Sequence, residues 1–170
     1  MLVLRSEAVV AVSARAVWDV LVDFASHAQW SSSARLEGAA QSGQQVTYHV
    51  GSQVLMRRMR PLRFSGAIMA MEAERRLEWT GGMAGLALLT LTFDLQPVSA
   101  GTCLRQQLQI TGLGPLLFRR RFQRTFSPAV AGLMQDFHHR MSKPAKHPLP
   151  TTRHGQKRRR KRRSRASHHS

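Results

Sequence analysis

The stretch VVAVSARAVWDVLVDFASHAQW, residues 9–30, decides the fold, because a short strand runs straight into an amphipathic helix that closes on a tryptophan. Val10 and Val12 alternate with Val9 and Ala11, the period of a half-buried strand, and Ser13 offers a side-chain oxygen to cap a helix beginning at Ala14. The period then changes. From Ala14 to Phe24, Val17, Leu21 and Phe24 recur at helical spacing beside Trp18 and Val22, while Arg15, Asp19 and Asp23 fall four apart on another face. One stripe faces a core, and the charges read as a solvated helix surface.

Outward from that stretch, the chain of 170 residues is of one-domain length, and its charge is divided unevenly. Residues 1–142 carry all nine acidic groups against 15 basic ones, whereas residues 143–170 carry eleven basic groups, all four lysines and no acid. Pro144, Pro148 and Pro150 open this segment, and it holds too few apolar residues to offset the entropy of ordering it. The expected organisation is therefore a folded domain over 1–142 and a disordered polybasic tail over 143–170. Cys103 is the single cysteine, so no internal disulfide forms, which fits a reducing compartment. No Cys/His spacing reads as a metal site. Charges at Arg5, Glu7, Arg15, Asp19 and Asp23 interrupt any signal-peptide core. The expectation is a cytoplasmic protein with no cofactor.

Beyond Trp30 come strands punctuated by turn residues, predicted over 34–37, 45–50, 54–59, 63–72, 76–80, 86–96 and 102–111. Gly43, Gly51, Gly81 with Gly82, Gly85 and Gly101 fall where hairpins are expected to turn. A closing helix is predicted from Pro115 to Met141, with Phe118, Phe122, Phe126, Val130, Leu133 and Phe137 in one stripe and Pro128 inside it. Met56, Met69, Met71 and Met134 read as core or as a flexible cavity lining. Strand, helices, antiparallel strands and a long last helix make an α+β domain whose sheet is covered on one face by that helix.

These residues carry a resemblance. Val12-Ser13-Ala14 before Val17-Trp18 and Leu21, Asp23-Phe24 followed by Trp30, Leu77-Glu78-Trp79-Thr80-Gly81, Phe93-Asp94-Leu95, Gly101-Thr102 and Ile110-Thr111-Gly112-Leu113 come in the order seen in the START-like or Bet v 1-like (SRPBCC) superfamily. The chain resembles its bacterial polyketide cyclase/dehydrase-type members. The resemblance implies a helix-grip fold: a curved antiparallel sheet wraps the long C-terminal helix, two short helices follow the first strand, and an apolar cavity lies between sheet and last helix. It also implies a small hydrophobic ligand, such as a lipid, a polyketide-like molecule or an aromatic. Two positions depart from the pattern: Leu108 stands where members often carry an acid, and Ser65-Gly66 where a proline commonly follows an aromatic.

Alternation assigns the ligand-facing side independently of the family. Leu104, Gln106, Leu108 and Ile110 share a face of the last strand, Leu89, Leu91, Phe93 and Leu95 of the one before, Leu77 and Trp79 of the next, and Val46, Tyr48 and Val50 of an earlier one. Gln106 on an apolar face either bonds to a neighbouring backbone group or ordered water, or anchors a ligand. Tyr48 poses the same choice. The candidate ligand-binding residues are thus Tyr48, Trp79, Leu91, Phe93, Gln106 and Leu108, with Phe122 and Phe126 from the closing helix. A general base is not evident, since Asp94 and His49 fall on the opposite face and Glu72, Glu74 and Glu78 near turns or outside. That favours binding over a cyclase/dehydratase-like activity, the alternative. A further alternative is an anionic surface, nucleic acid or membrane, held by Lys157, Arg158, Arg159, Arg160, Lys161, Arg162 and Arg163. Arg119, Arg120, Arg121 and Arg124, together with Arg57, Arg58, Arg60 and Arg63, are either a solvated face or the rim of a cavity mouth.

Overall fold

The computed structural model describes residues 1–51 and 62–142. The expected strand at 54–59, Met56, Arg57, Arg58, Arg60 and the whole basic tail, Lys157 to Arg163 included, lie outside the described residues.

Strand β1, Leu2–Val10, starts well before the predicted one. Leu2, Leu4, Ala8 and Val10 turn to one face, while Arg5 and Glu7 turn outward to Gln107 and Arg105 at 2.9 and 3.2 Å. The strand stops at Val10 rather than Val12, where its partner Thr102 stands at the start of the last strand, and Thr102 Oγ1 donates to the Val12 carbonyl at 2.7 Å. Helix α1, Ala14–Val22, is capped as expected: Ser13 Oγ accepts from the Ala16 N–H at 3.3 Å. Val17, Trp18 and Leu21 form its buried stripe. A 3-10 turn, Phe24–Ser26, and α2, His27–Trp30, complete the pair of short helices.

The chain then builds β2, Ala34–Gly38, β3, Gln45–Val50, β4, Leu62–Glu72, β5, Arg76–Met83, β6, Ala87–Val98, and β7, Gly101–Thr111. The order across the antiparallel sheet is β1-β7-β6-β5-β4-β3-β2, so α1 and α2 carry the chain from one edge to the other. This is the curled sheet of an α+β helix-grip fold. After it come α3, Leu113–Leu117, and α4, Arg119–Ser142.

Three local expectations change. Gly81 and Gly82 lie inside β5, not in its turn. The Trp79 indole lies over Gly81, where any Cβ would meet the ring at 2.4 Å, and reaches across bare Gly66 to donate from Nε1 to the Val46 carbonyl at 3.0 Å. Met69 is 60% exposed, because it follows buried Ile68 and alternation turns it outward, while the register shift between Ile68 and Ala70 brings Met71 back against the core. The predicted single closing helix is two: Phe118 leaves helical geometry at φ −124°, ψ 39°, and itself faces solvent. The break folds α3 back until Gly114 meets the Phe122 ring, with no room for a side chain at 114.

Helix α4 lies across the concave face with Phe126, Val130, Leu133 and Phe137 buried. Gly132 lets it approach Ser33, and one turn later Asp136 Oδ2 accepts from the backbone N–H groups of Ser32 and Ser33 at 2.9 and 3.3 Å.

Candidate functional site

The concave face is built from cross-strand rows. Leu36, Tyr48 and Phe64 pair across β2, β3 and β4; Trp79, Leu91 and Leu108 pair across β5, β6 and β7; Leu77, Phe93 and Gln106 pair beside them. All nine are buried, so the alternation read from sequence holds along these strands. The rings of Tyr48 and Trp79 lie 5.5 Å apart.

Between this face and α4 the described residues enclose a small space, about 10 Å³ for the centre of a water-sized sphere, which is room for one water. Of the candidate residues, Tyr48, Leu91 and Phe93 line it. The helical side is different. Leu133, Met134 and Phe137 cover the space, whereas Phe126 stacks with Phe122 and meets Phe64 at 5.8 Å, nearer the start of α4. Trp79, Gln106 and Leu108 are buried on the same face but do not border this space. The large side chains themselves occupy most of the volume between sheet and helix.

The segment between α1 and β2 supplies His27 and Trp30 to the lining, and β2 supplies Arg35, none of them among the candidates read from strand alternation. Trp30 packs edge-on to Phe137 at 5.8 Å and to His27 at 4.9 Å, so it joins the short helices to α4 at the cavity wall. The spacing of His27 and Trp30 on one turn was the available signal. His27 Nε2 lies 2.9 Å from the Leu21 carbonyl and Nδ1 accepts from the Leu36 N–H at 3.4 Å, partners that assign the proton to Nε2. Burial holds its pKa below the ordinary imidazole value, opposed by the Leu21 carbonyl. Both nitrogens are engaged, so neither is free to take a proton from a bound molecule.

Two polar groups are unusual. The Tyr48 hydroxyl and both polar atoms of the Gln106 amide are buried with no hydrogen-bond partner among the described residues. Burial pushes the Tyr48 phenol well above its ordinary pKa, so at neutral pH it is an uncharged donor. On the outer face, His49 is buried with Nε2 2.7 Å from a Glu37 carboxylate oxygen, a close contact without hydrogen-bond alignment. Burial, then Arg35, lower the pKa of His49 despite Glu37. Asp94 also stands outward, 3.8 Å from Arg76. Among the described residues no cluster of His, Cys, Asp and Glu could hold a metal ion.

Several solved structures share this architecture. Protein Ms6760 from Mycobacterium smegmatis superposes with a TM-score of 0.65 at 14% identity, over 86% of this chain and 93% of that one. Protein MLL2253 from Mesorhizobium loti gives 0.61 at 15% identity, over 81% and 95%. The AHSA1-like protein from Aeromonas hydrophila gives 0.53 at 15%, over 86% and 99%. At such identities the likeness speaks for the fold alone. None of the curated proteins compared matches the sequence. The sequence profile of one family, described as polyketide cyclase / dehydrase and lipid transport, matches residues 1–145, which takes in every described element from β1 to α4. With fold and profile in agreement over that length, the chain belongs to the polyketide cyclase/dehydrase and lipid transport family.

Proposed function

We propose that this protein binds a small hydrophobic ligand, lipid, polyketide-like or aromatic, between the sheet and α4, and that the ligand has a polar end. The observation that carries the reading is the pair of buried, unpartnered groups on the concave face, the Tyr48 hydroxyl and the Gln106 amide. Burying such groups costs roughly 1–3 kcal/mol each unless something bonds to them, and a ligand with a carbonyl, carboxyl or hydroxyl would do so. The surrounding Leu91, Phe93, Leu108 and Trp79 suit its apolar part.

Loading requires α4 to shift, since typical ligand cavities measure about 300–1,000 Å³. Pro128 supplies no N–H for the carbonyl of Arg124, so the helix ladder is weakest just before the turn that covers the cavity. Binding stands ahead of cyclase-like catalysis in this reading, because the imidazole beside the cavity has both nitrogens engaged. The domain is taken as residues 1–142, in the cytoplasm on the evidence of its single cysteine, with residues 143–170 as an anion-attracting tail.

The test is a titration of the full chain with cis-parinaric acid, a fluorescent fatty acid. One-to-one saturable binding is expected, weakened about tenfold by Gln106→Leu through loss of the polar anchor. Absence of saturable binding, or binding indifferent to both Gln106→Leu and Tyr48→Phe, would overturn it.

A further inference from the structure

One end of the domain departs from an ordinary soluble surface. Leu113, Leu116, Leu117 and Phe118 are 60, 67, 70 and 57% exposed, four of the six consecutive residues 113–118. Met83 and Leu86 on the β5–β6 hairpin are also exposed, and the Gly114 N–H donates to the Leu86 carbonyl at 2.8 Å, which joins α3 to that hairpin. Single exposed apolar side chains are normal, but a contiguous group of this size marks an interaction face.

The charge beside it has one sign. Arg119, Arg120 and Arg121 follow Phe118 directly and Arg124 comes one turn later, all exposed. Among the described residues none of the four is in an ion pair, and no acidic residue occurs between positions 95 and 135 or between 79 and 93. Arg120, Gln123, Arg124 and Ser127 line a shallow groove on the outer side of α4. Stability of α4 does not account for them, since cations at a helix N-terminus oppose its dipole.

We infer that the end of the fold formed by α3 and the β5–β6 hairpin docks on an anionic lipid bilayer. The leucines and Phe118 enter the boundary between headgroups and acyl chains, and the arginines meet lipid phosphates. A nucleic acid would use the arginines but leave the leucines without a role. This face is separate from the cavity, so its failure leaves the ligand-binding reading standing, and the reverse.

The experiment uses the full chain on vesicles of phosphatidylglycerol mixed with phosphatidylcholine, and on phosphatidylcholine alone. Sedimentation measures binding, and Phe118→Trp reports insertion by quenching from lipids brominated near the headgroup. Because the basic tail also attracts anions, support requires two results together. Phe118→Trp is quenched on the anionic vesicles, and Leu116→Ser/Leu117→Ser/Phe118→Ser lowers the partition coefficient at least tenfold. These side chains are exposed, so circular dichroism and thermal midpoint should match the parent. Unquenched Phe118→Trp, or unchanged partitioning of the triple variant, would overturn the inference. So would a concentration-dependent dimer that the triple variant abolishes, which would make a second copy the occupant, or equal shielding of Phe118→Trp by duplex DNA.

Discussion

Replacing Tyr48 by phenylalanine should stabilise the free protein while weakening ligand binding, two changes of opposite sign from one deleted oxygen. Tyr48 is fully buried, paired with Leu36 and Phe64 on its neighbouring strands and packed on Trp79, and its hydroxyl has no hydrogen-bond partner among the described residues. Phenylalanine keeps every ring contact. A buried hydroxyl without a partner costs about 1–3 kcal/mol, so its removal should return up to about 2 kcal/mol. The adjoining space admits one water, whose bond to the hydroxyl would offset part of that cost and bring the gain toward zero. For a chain of 170 residues, the range corresponds to a rise in thermal midpoint of roughly 0–8 °C. Urea unfolding of parent and variant, with slopes compared, measures the free-energy change directly. A hydroxyl bonded to protein would instead lose about 1 kcal/mol on deletion. Destabilisation of that size would refute the reasoning, since it would mean that the group has a protein partner in solution.

Other outcomes rest on the same geometry. Gly66→Ala should destabilise by about 3 kcal/mol or more in urea, because its Cβ would lie 2.2 Å from the Thr80 carbonyl oxygen and 2.5 Å from the Gly81 Cα, both backbone atoms. Asp136→Ala should cost about 1–2 kcal/mol in the same assay by freeing the Ser32 and Ser33 N–H groups that tie β2 to α4. His27 should make stability fall on mild acidification. Its folded pKa lies below the ordinary 6.5, so its contribution is complete above pH 6.5, is lost as pH falls from there through the folded value, and changes no further beneath it. Protonation would set an Nδ1 proton against the Leu36 N–H. Thermal midpoints between pH 8 and 5 should decline less in His27→Gln than in the parent; equal declines would contradict this. His49, lowered by burial and Arg35, keeps part of the slope in both proteins.

Much of this architecture was legible along the chain because it rests on local periodicity. The switch from alternation to helical spacing at Ser13, the inward parity of Gln106 between Leu104 and Leu108, and the buried row through Leu91 and Phe93 all survive in three dimensions. Reading failed where a distant group decides. Met69 and Met71 have the same composition and parity, yet one extra residue in β4 leaves Met69 outward and turns Met71 toward the core. Gly81 and Gly82 have the composition of a turn, but the Trp79 indole needs the bare backbone of Gly81, and Gly82, at φ +143°, lies where a Cβ would meet the Ala87 carbonyl oxygen, packing demands invisible to any local pattern. Phe118 continues the phenylalanine spacing of α4, and only the fold-back of α3, which sets Gly114 against the Phe122 ring, turns it out to solvent.

The candidate site divides in the same way. Strand parity brought Tyr48, Leu91 and Phe93 to the lining, whereas the covering residues depend on which turn of α4 lies over them. That position is set by Gly132 and Asp136 against Ser32 and Ser33, contacts about a hundred residues apart in sequence. Phe122 and Phe126 therefore lie nearer Phe64, and Leu133, Met134 and Phe137 take the place over the cavity. His27 and Trp30 arrive by the crossing of α1 and α2 between the two sheet edges, which no strand pattern describes.

Native mass spectrometry of the full chain, incubated with cis-parinaric acid and sprayed from non-denaturing buffer, counts the ligands held between the sheet and α4. A one-to-one adduct is expected, its occupancy falling in Tyr48→Phe and further in Tyr48→Phe/Gln106→Leu, although both variants remain folded. An adduct of equal occupancy in all three proteins, or none in the parent, would contradict it.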